Sequence, residues 1–188
     1  MDVRGQRTEQ TVAACFLDLL EKKPVSQITV TELCQGARIN RATFYKHFPD
    51  VFHLQDSLET KVLDELGTYL REHAFSSAGK YSAMMTELLS YAKRFGHDFY
   101  ILCSPNAISD LPARVFELVY SLAFPILKER NPALSDEKAK LLYQYVSSGS
   151  GNILRSWLTG ECSMTEEELA DFIMQISAAA VTAAAERG

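Results

Sequence analysis

Apolar residues recur with helical spacing along most of the chain. Val12, Cys15, Phe16, Leu19 and Leu20 fall at i, i+3, i+4, i+7 and i+8 and predict an amphipathic helix over about 7–22. Pro24 stops it. Thr29, with Glu32 three residues on, forms a capping-box pattern that opens a short helix over about 30–36. Gly36 suits a left-handed exit from it. Asn40 is a favoured N-cap for a third helix over about 41–47, with Phe44 and Phe48 on one face and Pro49 after it. A longer stripe of Leu58, Val62, Leu63, Leu66 and Leu70 predicts a helix over about 50–73.

The loop SSAG at 76–79 precedes a predicted helix over about 80–102 that carries Met84, Met85, Leu88, Leu89, Ala92 and Phe95. Asp110 caps a helix over about 111–129, kinked at Pro125. Ser135 caps another, reaching about 159, and Thr165 with Glu168 opens a last helix ending near 186. No segment alternates with period two for long enough to make a strand. The expected fold class is therefore all-α.

Charge sharpens this picture. The chain of 188 residues carries a net −5, unevenly placed. Residues 1–48 hold seven Lys/Arg against five Asp/Glu; residues 49–188 hold twelve against nineteen. A mildly basic head on an acidic body can bind nucleic acid, because phosphate contacts are local. No apolar run approaches the ~20 residues that span a bilayer. The polar opening MDVRGQRTEQ lacks a signal-peptide core, which points to the cytoplasm. Cys15, Cys34, Cys103 and Cys162 are scattered and read as small buried hydrophobes. The four histidines have no ligand-spaced partners, and no nucleotide-loop, nucleophile-elbow or zinc-protease motif occurs. His97–Asp98 is an adjacent pair whose side chains diverge on a helix, so it reads as surface. The expectation is a protein without enzymatic activity, metal or cofactor.

Residues 28–48 read ITVTELCQGARINRATFYKHF. Two short capped helices close in sequence suit a helix-turn-helix, whose second helix offers its first side chains to the major groove. Arg41 and Thr43 lie in that first turn. Tyr45, Lys46 and His47 fall on its solvent side, where they can hold phosphates.

This block resembles the N-terminal domain of the TetR/AcrR transcriptional regulators, from Arg7 to about Leu66, most specifically in RATFYKHF. The resemblance implies DNA-facing roles for Thr29, Asn40, Arg41, Thr43, Tyr45, Lys46 and His47. It places Arg4 and Arg7 in an arm before the first helix. Where members often carry a lysine phosphate anchor, this chain has Val51, with His53 nearby as a pH-dependent donor. GNILRSWLTG further resembles a C-terminal subgroup of such regulators from low-GC Gram-positive bacteria.

The expected organisation is a DNA-binding domain over 1–50, a connecting helix over about 50–73, and an effector-binding and dimerisation domain over 74–188. Small residues in YVSSGSGNILRSW allow close helix approach, and the resemblance implies a four-helix dimer interface. Leu142, Val146, Gly149, Gly151, Ile153, Trp157, Phe172 and Ile176 are its candidates. Family members usually hold an effector pocket in the body. Aromatic or polar-tipped candidates here are Tyr69, His73, Phe95, Phe99, Tyr100, Tyr120, Phe124 and Tyr143. The expected function is a homodimeric regulator, a repressor, that binds a palindromic DNA operator and is released by a small molecule. The other reading is a TetR-like coactivator or small-molecule binder that no longer binds DNA.

Overall fold

The computed structural model describes residues 3–73, 90–91, 96–130, 132 and 134–185. Among them all regular structure is helical, in agreement with the expected class. The chain divides into two compact units: Met1–Val62 with His97–Ser109, and Leu63–Gly96 with Asp110–Gly188.

In the first unit, α1 (Val3–Leu20) buries Val12, Phe16, Leu17 and Leu20. It begins four residues earlier than expected, so Arg4 and Arg7 are helical and form no extended arm. After a 3₁₀ turn at Val25–Gln27 come α2 (Val30–Ala37) and α3 (Arg41–His47). Leu33, Cys34, Ala37, Phe44 and Phe48 turn inward. Phe44 is fully buried, with its ring 5.8 Å from that of Phe48.

Gly36 does not make the left-handed exit. That conformation belongs to Arg38 (φ 55°), which caps α2. Gly36 instead sits inside α2, where a Cβ would lie 3.1 Å from Cys15 Sγ of α1. The missing side chain permits close helix packing rather than a turn.

α4 (Val51–His73) contributes to both units. In the first, Val51 and Leu54 are buried, and Gln55 Nε2 donates to Glu59 Oε1 (2.7 Å) and Ala107 O (3.0 Å). Of the helix expected over 80–102, residues 80–89 and 92–95 lie outside the described residues, as does the expected loop at 76–79; its end is α5 (Gly96–Leu102), which from His97 onward belongs to the first unit. The turn after it is tied to the head. Asn106 Nδ2 donates to Leu20 O (2.9 Å) at the end of α1, and Val25 N–H donates to Asn106 O (2.9 Å). Ile108 then takes a left-handed conformation (φ 51°) on the surface.

The second unit contains α6 (Leu111–Arg130), α7 (Asp136–Leu158) and α8 (Glu166–Ala185). α6 runs continuously through Pro125. α7 and α8 start where their caps predict. Ser135 Oγ accepts from Lys138 N–H, and Thr165 and Glu168 bond reciprocally. Lys128 pairs with Asp136 (2.6 Å) and donates to Leu134 O, which fixes the α6–α7 turn. Leu134, Ala139 and Leu142 pack with Phe124, Val146, Ala180, Val181 and Ala184. No described helix is long and apolar enough to cross a membrane.

Candidate nucleic-acid interface

The α2–α3 segment is built from local bonds that its sequence dictates. Thr29 Oγ1 accepts from Glu32 N–H (3.3 Å) and donates to Glu32 Oε2 (2.8 Å), while Thr29 N–H donates to the same oxygen (3.0 Å). Lys23 Nζ reaches Glu32 Oε1 at 2.6 Å. These donors, Lys23 first and Thr29 next, hold the Glu32 carboxyl down to about 2. Asn40 Oδ1 accepts from Thr43 N–H (2.7 Å) and Thr43 Oγ1 (3.0 Å). The hydroxyls of Thr29 and Thr43 and the carbonyl of Asn40 are thus committed to capping. Only the Asn40 amide nitrogen keeps donors for a ligand.

The cations divide into tethered and free. Arg41, exposed on the first turn of α3, donates from Nη2 to Thr31 Oγ1 of α2 at 2.5 Å. His47 departs from the expected solvent-facing role. Its side chain is only 13% exposed, and Nδ1 lies 2.9 Å from Glu9 Oε1 of α1. Amphipathic packing turns the ring toward α1, so His47 ties two helices together. Lys46 and Tyr45 are exposed, and neither polar tip has a partner among the described residues. The Tyr45 ring stands edge-on to Phe44 at 5.6 Å. Arg7 is exposed on α1, and the Arg4 side chain lies outside the described residues.

Two features escape the sequence reading. Arg38 displays a guanidinium from a left-handed position that usually favours glycine. At the start of α4, Asp50 Oδ1 accepts from His53 N–H (2.8 Å), and Oδ2 lies 2.9 Å from His53 Nδ1. These bonds, the backbone one foremost, keep the Asp50 carboxyl below its usual range. The end where the family resemblance places a phosphate anchor therefore carries its own anion. His53 is engaged with it, and Val51 is buried in the core.

The pocket candidates scatter. Tyr120, Phe124 and Tyr143 line a cavity of about 860 Å³ between α6 and α7, with Glu117, Lys140 and Arg155 among its polar wall. Tyr120 and Tyr143 stack ring on ring, and burial raises the Tyr120 hydroxyl pKa. Tyr69 borders a smaller cavity of about 400 Å³ with three carboxylates, and His73 stacks on it at 4.2 Å. Phe99 departs from the expectation, being buried in the first unit, and Tyr100 is exposed. Phe95 lies outside the described residues. Among those residues no group of three His, Cys, Asp or Glu could hold a metal ion.

The interface candidates also separate. Leu142 and Val146 pack within their own unit, and a Cβ on Gly151 would stand 3.2 Å from Phe116 Cδ2. These three serve the fold of a single chain, because their helical phase turns them toward α6 and α8. Ile153 and Trp157 are half-buried, and Trp157 Nε1 donates to Met164 O (2.9 Å). Among the described residues nothing lies within 4 Å of a Cβ position on Gly149, and Phe172 and Ile176 are exposed. Leu141 and Tyr145 on α7, which the sequence pattern does not single out, are exposed as well.

A three-helix head with a capped helix-turn-helix, followed by a helical body, defines a class of helix-turn-helix transcription factors. Residues 80–178 match a family model described as "Transcriptional regulator C-terminal region" (TetR_C_8), and the chain belongs to this family of TetR-type transcriptional regulators. Solved structures are similar over nearly the whole chain. A TetR transcriptional regulator from Streptococcus agalactiae 2603V has 20% identity and a TM-score of 0.71, covering 94% of this chain and 96% of that one. The dihydroxyacetone kinase operon activator DhaS has 20% identity and a TM-score of 0.64, covering 93% and 96%. A TetR-family regulator from Streptomyces coelicolor has 18% identity and a TM-score of 0.59, covering 100% and 89%. These likenesses are of fold. No curated protein matches the chain.

Proposed function

We propose that the chain binds operator DNA as a homodimer through α2 and α3 and acts as a repressor. The observation that carries the DNA reading is the set of exposed polar side chains around two inward phenylalanines. Arg38, Arg41, Tyr45 and Lys46 are displayed by a segment whose internal bonds fix its shape. Arg41 reads a base edge, and Arg38, Tyr45, Lys46 and Arg7 hold phosphates.

Dimerisation is supported by Leu141 and Tyr145 on α7 and by Phe172 and Ile176 on α8, pairs spaced i, i+4 that leave large apolar groups in water. Two-fold symmetry matches a palindromic operator. The cavity between α6 and α7 is the effector site of this reading. A ligand that binds the DNA-released state better shifts the population toward it.

Selection from random DNA at two salt concentrations tests the proposal. A palindrome whose binding weakens steeply with log[salt] is expected. Absence of enrichment at low salt overturns it. A DNA-free coactivator is the second reading. The acid-capped start of α4 favours it. A binding partner whose affinity barely responds to salt is its signature.

A further inference from the structure

We propose that Thr31 is a positioning residue that presets the Arg41 guanidinium for base readout; this rests on the DNA-binding reading above. The two residues lie ten positions apart, on different helices, and meet across the turn at 2.5 Å between Arg41 Nη2 and Thr31 Oγ1. Neither position is buried, so apolar packing does not force the contact. A β-branched threonine has few χ1 choices, and its hydroxyl therefore offers a fixed acceptor. Arg41 donates one N–H to it and retains four. Recognition of a guanine edge needs two of those, from the planar fork.

A long flexible cation loses rotamer freedom when it binds, and an internal tether removes part of that loss beforehand. Thr31 therefore acts on sequence discrimination without touching the base. The other candidate readers differ in this respect. Lys46 and Tyr45 have no tether among the described residues, which suits contacts that hold the phosphate backbone without reading sequence.

The test compares the full-length wild type with Thr31→Val, Thr31→Ser and Arg41→Ala. Each is titrated with the selected operator and with its single-base variants. Thr31→Val is expected to weaken operator binding about 2- to 10-fold. It should relax preference at the same base pair that Arg41→Ala relaxes, while leaving the salt slope unchanged. Thr31→Ser is expected to restore preference, and Thr31→Val should add nothing in the Arg41→Ala background. A matched thermal transition shows that the head is folded. A uniform loss across all sequences, or an equal loss without Arg41, overturns the positioning role while leaving the DNA reading standing. A wild type that selects no sequence overturns both.

Discussion

The head and the C-terminal helices place their polar bonds differently. In the head, side chains reach from one element to another: Lys23 to Glu32, Arg41 to Thr31, His47 to Glu9, Asn106 to the end of α1. In α7 and α8 several polar side chains bond back to their own helix, as Asn152 does to Ser148 O, Ser177 to Ile173 O and Thr182 to Ala178 O. Bonds between elements here sit at the connections, as with Lys128 to Asp136 and Trp157 to Met164 O, while the helix faces meet through apolar and small residues around Leu134, Ala139 and Leu142. Directional bonds have one good geometry, whereas apolar faces tolerate sliding. The first arrangement suits a surface that must present side chains in fixed register. The second leaves a cavity between α6 and α7.

Substitution of Phe44 by Ala should break the contrast most severely. Loss of this fully buried ring is expected to cost about 3–5 kcal/mol. Hydrogen exchange should report opening of α1–α3 with α6–α8 still protected; equal loss in both units would mean that they are one cooperative body. The next largest effect divides two glycines of α7. Gly151→Leu meets Phe116 and is expected to destabilise the fold by about 1–3 kcal/mol. Gly149→Leu starts from a Cβ position with no described atom within 4 Å, so the protomer should fold while association, read by light scattering, is lost.

The polar anchor of the head should respond to acid. Because the Glu32 carboxyl is held at about 2, against an ordinary 4.5, the unfolded chain binds the proton more readily. The stability that this carboxylate gives is present above about 4.5 and fades as pH falls toward 2. Thermal melting of the wild type should therefore decline over that window, and Glu32→Gln should flatten the decline. The smallest expected effect comes from the two strained backbones. Arg38→Gly and Ile108→Gly relieve left-handed residues and should each raise the melting temperature through roughly 1 kcal/mol. In Arg38→Gly that gain should accompany a salt slope for DNA reduced by about one. An unchanged slope would remove Arg38 from the interface.

The elements legible in the sequence are those fixed by short-range bonds. Thr29 with Glu32, Asn40 with Thr43, Ser135 with Lys138 and Thr165 with Glu168 are all i, i+3 contacts, and each marked its helix start correctly. What pattern cannot carry is the partner at a distance. Helical phase turned His47 outward, but Glu9 lies 38 positions away. The small residues around Gly151 announce a close approach, yet nothing local distinguishes Phe116 of the same chain from a second protomer. The left-handed residue lies two positions beyond the glycine that the pattern points to. Glycine is the usual occupant, and only the bonds Arg38 N–H and Ile39 N–H make to the last carbonyls of α2 fix the exit at Arg38.

The hook formed by Asn106 has a consequence for synthesis. The end of α1, Val25 and the Gln55 side chain find their acceptors and donors on residues 106 and 107. A nascent chain cannot complete those bonds until more than a hundred residues have left the ribosome, although α1, α2 and α3 have all emerged by residue 48. The head is therefore finished late, during translation of the body, and a truncated product ending at α4 would expose an incomplete surface to chaperones and proteases. Ribosome-stalled chains of increasing length should show protease resistance of the head rising sharply once residue 109 has cleared the exit tunnel.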